Sequence, residues 1–139
     1  MKFKITLKID RKHGDLLPFN YQYEQSAVIY RILAQADTQY SSWLHENGYL
    51  LHERKRFKLF CYSPFIFEKV RPLPEAGCLK IIGERAVWYI SFIPEKSTLE
   101  FIQGIFAHQS FTIGNRKYQV AFDVVGVEAI PMPQLSEEM

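Results

Sequence analysis

Cysteine is scarce in this chain, its glycines are scattered and its histidines never cluster, and each shortage removes a class of protein. The two cysteines, Cys61 and Cys78, form neither a disulfide framework nor a metal-ligand spacing. Both lie in apolar, strand-like surroundings and are expected to be small core residues. His13, His45, His52 and His108 are dispersed without ligand spacing, so neither a metal site nor a cofactor is expected. His45-Glu46 begins as a zinc-protease helix would, but the position needing a second histidine is Tyr49. The seven glycines form no phosphate-cradling loop, and there is no Gly-x-Ser-x-Gly elbow. No apolar run approaches the length of a membrane span. The opening MKFKITLKID alternates in character instead of forming a signal core, so a cytoplasmic protein is expected.

What is present is a core-forming composition. Hydrophobic residues make up 47% of the 139 and aromatics 15%, which excludes a disordered tail and suits one domain, residues 1–130. The net charge of +2 hides an asymmetry. Residues 1–71 hold 12 Lys/Arg against 7 Asp/Glu, a net of +5; residues 72–139 hold 5 against 8, a net of −3. An anionic partner is expected on the N-terminal half.

Residues 2–10 alternate strictly, with Phe3, Ile5, Leu7 and Ile9 on one face and Lys2, Lys4, Thr6 and Lys8 on the other. That predicts a strand with one buried and one basic face. The basic face can track phosphates or simply be solvated. Pro18 and Asn20 introduce a helix, roughly Tyr21 to Ala36, with a core stripe of Gln25, Ile29, Ile32/Leu33 and Ala36. Tyr30 is rotated off that stripe. A second short helix is expected from the Asp37 cap to Asn47-Gly48, with Tyr40, Trp43 and Leu44 inward and His45 on the opposite side, beside Ser41. Lys58–Ser63 predicts a strand and residues 72–77 a loop. Cys78–Ile82 and Ala86–Ile93 predict a hairpin around Gly83-Glu84-Arg85. Ser97-Thr98-Leu99-Glu100 is a capping box opening a helix to about Ala107, with Leu99, Ile102 and Phe106 inward. Ser110–Ile113 and Arg116–Glu128 flank Gly114-Asn115, a two-residue hairpin signal. The order strand, helix, strand, strand, helix, strand predicts an α+β, ferredoxin-like βαββαβ sandwich with an extra β-hairpin, the topology of RNA-recognition domains. The strand VWYISFI, however, lacks the basic-Gly-aromatic stacking motif of those domains.

Three side chains on successive elements remain as candidates for chemistry: Tyr30, His45 and Lys58, with Arg54, Lys55 and Arg56 just before the last. RNA carries its own nucleophile, the 2′-hydroxyl, so a protein cleaving it need only align that group, move two protons and stabilise charge. Histidine titrates near neutral pH and can serve as base or acid. Lysine can stabilise the developing charge, and tyrosine can orient a group or pass the second proton. Each also has an ordinary explanation. His45 can be a solvated histidine, Tyr30 a packing residue on the helix flank, and Lys58 a strand-edge charge that discourages aggregation. Residues alone leave both open.

Taken in order and with their spacing, LPFNYQYEQSAVIYRIL, WLHENGY and RFKLFCYS resemble the CRISPR-associated repeat-processing endoribonucleases of the Cas-six type. The resemblance extends over nearly the whole chain, although residues 64–130 contribute only a general pattern. It implies catalytic roles for Tyr30, His45 and Lys58; beside them, the basic residues Lys2, Lys4, Arg54, Lys55 and Arg56 are expected to contact the RNA. It also implies metal-independent cleavage of CRISPR repeat RNA in precursor crRNA, leaving a 2′,3′-cyclic phosphate and a 5′-hydroxyl. Such enzymes have a second ferredoxin-like domain with a Gly-rich loop, and no Gly cluster is present here. Residues 131–139, Pro-containing and acidic, are expected to be a linker-like tail toward that domain. Other CRISPR-complex subunits and a homodimer are the further partners it implies. A noncatalytic RNA-binding or scaffold subunit is the alternative function for the same basic face.

Overall fold

The alternation at the start of the chain becomes the central strand of the fold. In a computed structural model describing residues 2–35, 60–92 and 99–131, β1 (Lys2–Asp10) buries Phe3, Ile5, Leu7 and Ile9 and turns its lysines outward. It is antiparallel to a neighbour on each side: β7 (Arg85–Phe92), where Ile5 faces Trp88, and β9 (Gln119–Ile130), where Ile9 faces Phe122. The β9 register shifts between Thr6 and Leu7, leaving Val125 as the extra residue of a bulge. β3 (Phe60–Tyr62) and β4 (Ile66–Phe67) pair with β7, and β8 (Ser110–Gly114) closes the far edge against β9. The sheet order is β3-β7-β1-β9-β8.

Two helices cover one face. α1 (Gln22–Gln35) buries Gln25, Val28, Ile29 and Ile32; α2 (Leu99–Phe106) buries Ile105 and Phe106. With the inward residues of β1, β7, β8 and β9 they form one core, centred on Trp88, Phe111, Phe122 and Phe65 in mutual ring contact. Full burial of each such side chain contributes about 1.5–3 kcal/mol. Following β1, α1, β3, β7, α2 and β9, the strand order and antiparallel pairing are those of the expected ferredoxin-like α+β fold, with β8 as its hairpin extension.

Three local expectations are corrected. Cys78–Ile82 does not form a hairpin with the strand at 86–93. Instead β6 (Cys78–Ile81) joins β2 (Leu16–Pro18) and β5 (Val70–Leu73) in a second sheet of order β2-β6-β5. The hairpin turn is Pro74–Gly77, inside the expected loop, where Ala76 donates to Leu73 and Gly77 to Pro74. Gly83-Glu84 is the crossing between sheets. Arg11, in a 3-10 turn (Arg11–His13), holds it by donating to the carbonyls of Ile81, Ile82 and Gly83, while Glu68 Oε1 accepts from the amides of Glu84 and Arg85. Secondly, the β8–β9 loop has four residues, not two. Asn115 Oδ1 accepts from the amides of Lys117 and Tyr118 and stabilises the longer turn. Gly114 is required there, because its φ is +152° and a Cβ would lie 2.1 Å from the Tyr118 carbonyl oxygen. Thirdly, Cys61 is exposed while Cys78 is buried, since β3 is an edge strand and Cys61 points away from the helices. The expected helix from Asp37 to Gly48, residues 58–59 of the expected strand, and the Ser97-Thr98 half of the capping box lie outside the described residues.

Candidate functional site

α1 presents Tyr30 by helical phase. Gln25, Ile29 and Ile32 face the core; Tyr30, one step round from Ile29, is 54% exposed. Its ring meets Phe60 edge-on, with centroids 5.1 Å apart, and Phe60 in turn lies 6.1 Å from Tyr62. No described residue hydrogen-bonds the Tyr30 hydroxyl. Phe60 is two residues along the chain from Lys58.

What fixes Tyr30 against this segment is a set of bonds between the first and third sequence motifs. The Tyr62 hydroxyl donates to the carbonyl of Gln22 at 2.8 Å. The Gln25 side-chain amide, fully buried, donates to the carbonyl of Ser63 at 3.1 Å. The Phe65 amide donates to the Tyr21 hydroxyl at 3.1 Å, and the two rings stack at 5.2 Å with planes 7° apart. Ser63 carries the tie onward: its amide donates to the Tyr89 carbonyl and its hydroxyl accepts from the Tyr89 amide. Thus NYQYEQ and FCYS are clamped together by Tyr21, Gln22, Gln25, Tyr62 and Ser63. Sequence reasoning placed Gln25 on the core stripe of the helix and assigned these contacts to none of the five. The signal that marked them was a fully polar glutamine on an apolar helix stripe.

Burial pushes the Tyr21 phenol above its ordinary value, an effect that outweighs the opposing hydrogen bond from Phe65. It stays neutral and structural, whereas Tyr30 faces solvent. Two tyrosines nine residues apart, one just before α1 and one within it, therefore have different surroundings.

Lys2 and Lys4 occupy the other face of the sheet. The Lys2 ammonium stands 4.7 Å from the Tyr89 ring centroid. Lys4 faces Tyr89 on one neighbour and Glu128 on the other. The structure brings Tyr30 together with Phe60 and Tyr62, and separates it from Lys2 and Lys4 by the thickness of the sheet. His45, Lys58, Arg54, Lys55 and Arg56 lie outside the described residues. Among the described residues, no group of three or more His, Cys, Asp or Glu side chains is placed to hold a metal ion, and no helix is long and apolar enough to cross a membrane.

Comparison with known proteins places this arrangement. Residues 16–122 match the family model described as "CRISPR-associated protein Cas6, N-terminal". A curated relative from Methanocaldococcus jannaschii, "CRISPR-associated endoribonuclease Cas6 1", is 25% identical over 131 residues, covering 94% of this chain and 46% of the relative. Two solved structures share the fold. "An RAMP protein binding different RNA substrates" superposes with a TM-score of 0.68 at 21% identity, over 97% of this chain and 50% of the other. "CRISPR associated protein Cas6" does so with a TM-score of 0.67 at 24% identity, over 96% and 50%. The chain spans about half the length of the proteins it matches.

Proposed function

This chain belongs to the Cas6 family through that family's N-terminal domain, and from that premise we propose that it carries the reacting side chains of an endoribonuclease that cleaves CRISPR repeat RNA in precursor crRNA. The observation that most supports this is the clamp between motifs. Five residues hold an exposed tyrosine against the strand that follows Lys58 in sequence, through hydrogen bonds that join the first and third motifs.

In the proposed reaction the 2′-oxygen attacks the adjacent phosphorus and the bond from phosphorus to the 5′-oxygen breaks. The 2′-hydroxyl proton passes to a base and a second proton reaches the departing 5′-oxygen. His45 supplies one of these transfers and Tyr30 orients a reacting group or supplies the other. Lys58 stabilises the charge that builds on the nonbridging oxygens. The products are a 2′,3′-cyclic phosphate and a 5′-hydroxyl, and the chemistry uses no metal. Residues 1–130 act as one ferredoxin-like domain, with 131–139 leading toward a second that completes the RNA groove; the half-length coverage of the relatives supports this division. Arg54, Lys55 and Arg56, with Lys2 and Lys4, contribute backbone contacts.

The test is incubation of the chain, alone and with a second ferredoxin-like domain supplied, with repeat RNA in excess chelator. Site-specific cleavage is expected. It should fall by about 10²–10⁴-fold in His45→Ala and vanish when the nucleotide before the cut is 2′-deoxy. Tight binding without cleavage in the reconstituted form would replace the enzyme with a scaffold subunit, a reading favoured by the RNA-binding neighbour of similar fold.

A further inference from the structure

Away from the Tyr30–Phe60 contact, two segments distant in sequence are joined at one corner of the fold. One is the turn Arg11–Asp15; the other is the β8–β9 loop, Asn115–Tyr118. Gly14, at φ +114°, lets the turn approach the residue that follows the loop, since a Cβ there would lie 2.7 Å from the Gln119 carbonyl oxygen. Arg11 is spent on carbonyls and on Asp15, and Asn115 holds its own loop by two side-chain hydrogen bonds. The corner is therefore preformed, and a ligand meeting it orders little.

His13 borders two adjoining clefts here. One, of about 350 Å³, is lined by Arg31, Ser110 and Thr112. The other, of about 290 Å³, is lined by Arg116, Lys117 and Tyr118. The clefts meet at His13 and form a path from Arg31, on the β8 side of α1, to the hairpin tip. Three carboxylates border the path, and all are engaged: Asp15 faces Arg11 at 3.8 Å. Asp123 accepts from the Ser110 hydroxyl at 2.6 Å, and Asp10 accepts from the Lys12 amide and faces His13 at 3.7 Å. Lys12, Arg31, Arg116 and Lys117 pair with no carboxylate among the described residues. With Arg11, five cations against three carboxylates leave +2 with His13 neutral. Like charges held together without a structural use weaken a fold, and they are explained by an anionic ligand.

We infer that this path is a second RNA contact, gripping backbone phosphates of the same strand whose cleavage is proposed at Tyr30, His45 and Lys58. The inference rests on that RNA reading. Its contacts are to phosphate, so it is blind to base sequence.

The test compares two triple variants of the 139-residue chain. Arg31→Ala/Arg116→Ala/Lys117→Ala empties the path; Lys69→Ala/Arg71→Ala/Lys80→Ala removes three exposed cations elsewhere. Binding of labelled single-stranded repeat RNA is followed by fluorescence anisotropy at 50 and 200 mM salt. Losing three phosphate contacts on a single strand flattens the log–log salt slope by about 2, so the path variant should lose roughly 18-fold less affinity across that range than the unaltered chain. The control should keep the original slope, and unchanged circular dichroism in both variants excludes unfolding. Equal flattening in both triples, an unchanged slope in the path variant, or a loss confined to one base sequence would overturn the path while leaving the nuclease reading intact. Absence of salt-sensitive binding by the unaltered chain would overturn both.

Discussion

Tyr21→Phe removes one oxygen and tests the clamp that aims Tyr30. The ring and its stacking on Phe65 remain, but the buried Phe65 amide loses its acceptor. An unsatisfied buried donor costs about 1–3 kcal/mol. For a chain of 139 residues, an unfolding entropy of about 2.1 cal/mol/K per residue converts each kcal/mol to about 3.4 °C, so the midpoint should fall by roughly 3–10 °C. A second readout follows from the raised Tyr21 phenol. Its folded pKa exceeds the unfolded value of 10.0, so its stabilising contribution is complete below pH 10 and fades as pH rises toward and through the folded value. Denaturant melts from pH 8 to 11 should show the native chain losing stability above pH 10 more steeply than Tyr21→Phe. A variant as stable as the parent at pH 8, with the same alkaline slope, would refute the clamp. Because Tyr21 lies outside the proposed reacting set, the proposed cleavage, followed well below the midpoint, should retain its pH profile while its rate falls.

Two further outcomes follow from backbone geometry and the link between sheets. Gly114→Ala should destabilise the chain by more than Gly77→Ala in thermal melts, because its Cβ would strike a carbonyl oxygen, whereas Gly77 has nothing within 4 Å. Arg11→Met should speed hydrogen exchange in β6 and at the Gly83-Glu84 crossing while sparing β1 and β7, since it removes the donors to Ile81, Ile82 and Gly83.

The parts of the fold legible in sequence were those with one local cause. β1 alternated and was found alternating; α1 showed its stripe and placed Tyr30 outside it. The misreadings came where partners were chosen by distant chain. Gly83-Glu84-Arg85 has turn chemistry, but Arg11 and Glu68 reach across to make it a crossing. PLPEAG has loop composition, yet Leu73 faces Cys78 across its turn. Cys61 is apolar in context but lies on an edge strand facing away from the core. At the candidate site, Tyr30 was legible by phase. Its supports were not, because side-chain bonds spanning about forty residues leave no periodic trace.

Placing β1 at the centre of the main sheet also sets an order of events during synthesis. Of the strands in this sheet β1 is made first, it needs both β7 and β9, and its last register partner is Ile130. At about 5–20 residues per second, roughly 6–24 s separate the emergence of Asp10 from that of Ile130. Until β7 has emerged, a strand with Phe3, Ile5, Leu7 and Ile9 on one side has two unpaired edges, and until β9 has emerged it keeps one. The lysines on its other side carry the only charge that keeps nascent copies apart over Lys2–Ile9, so their first task precedes any ligand.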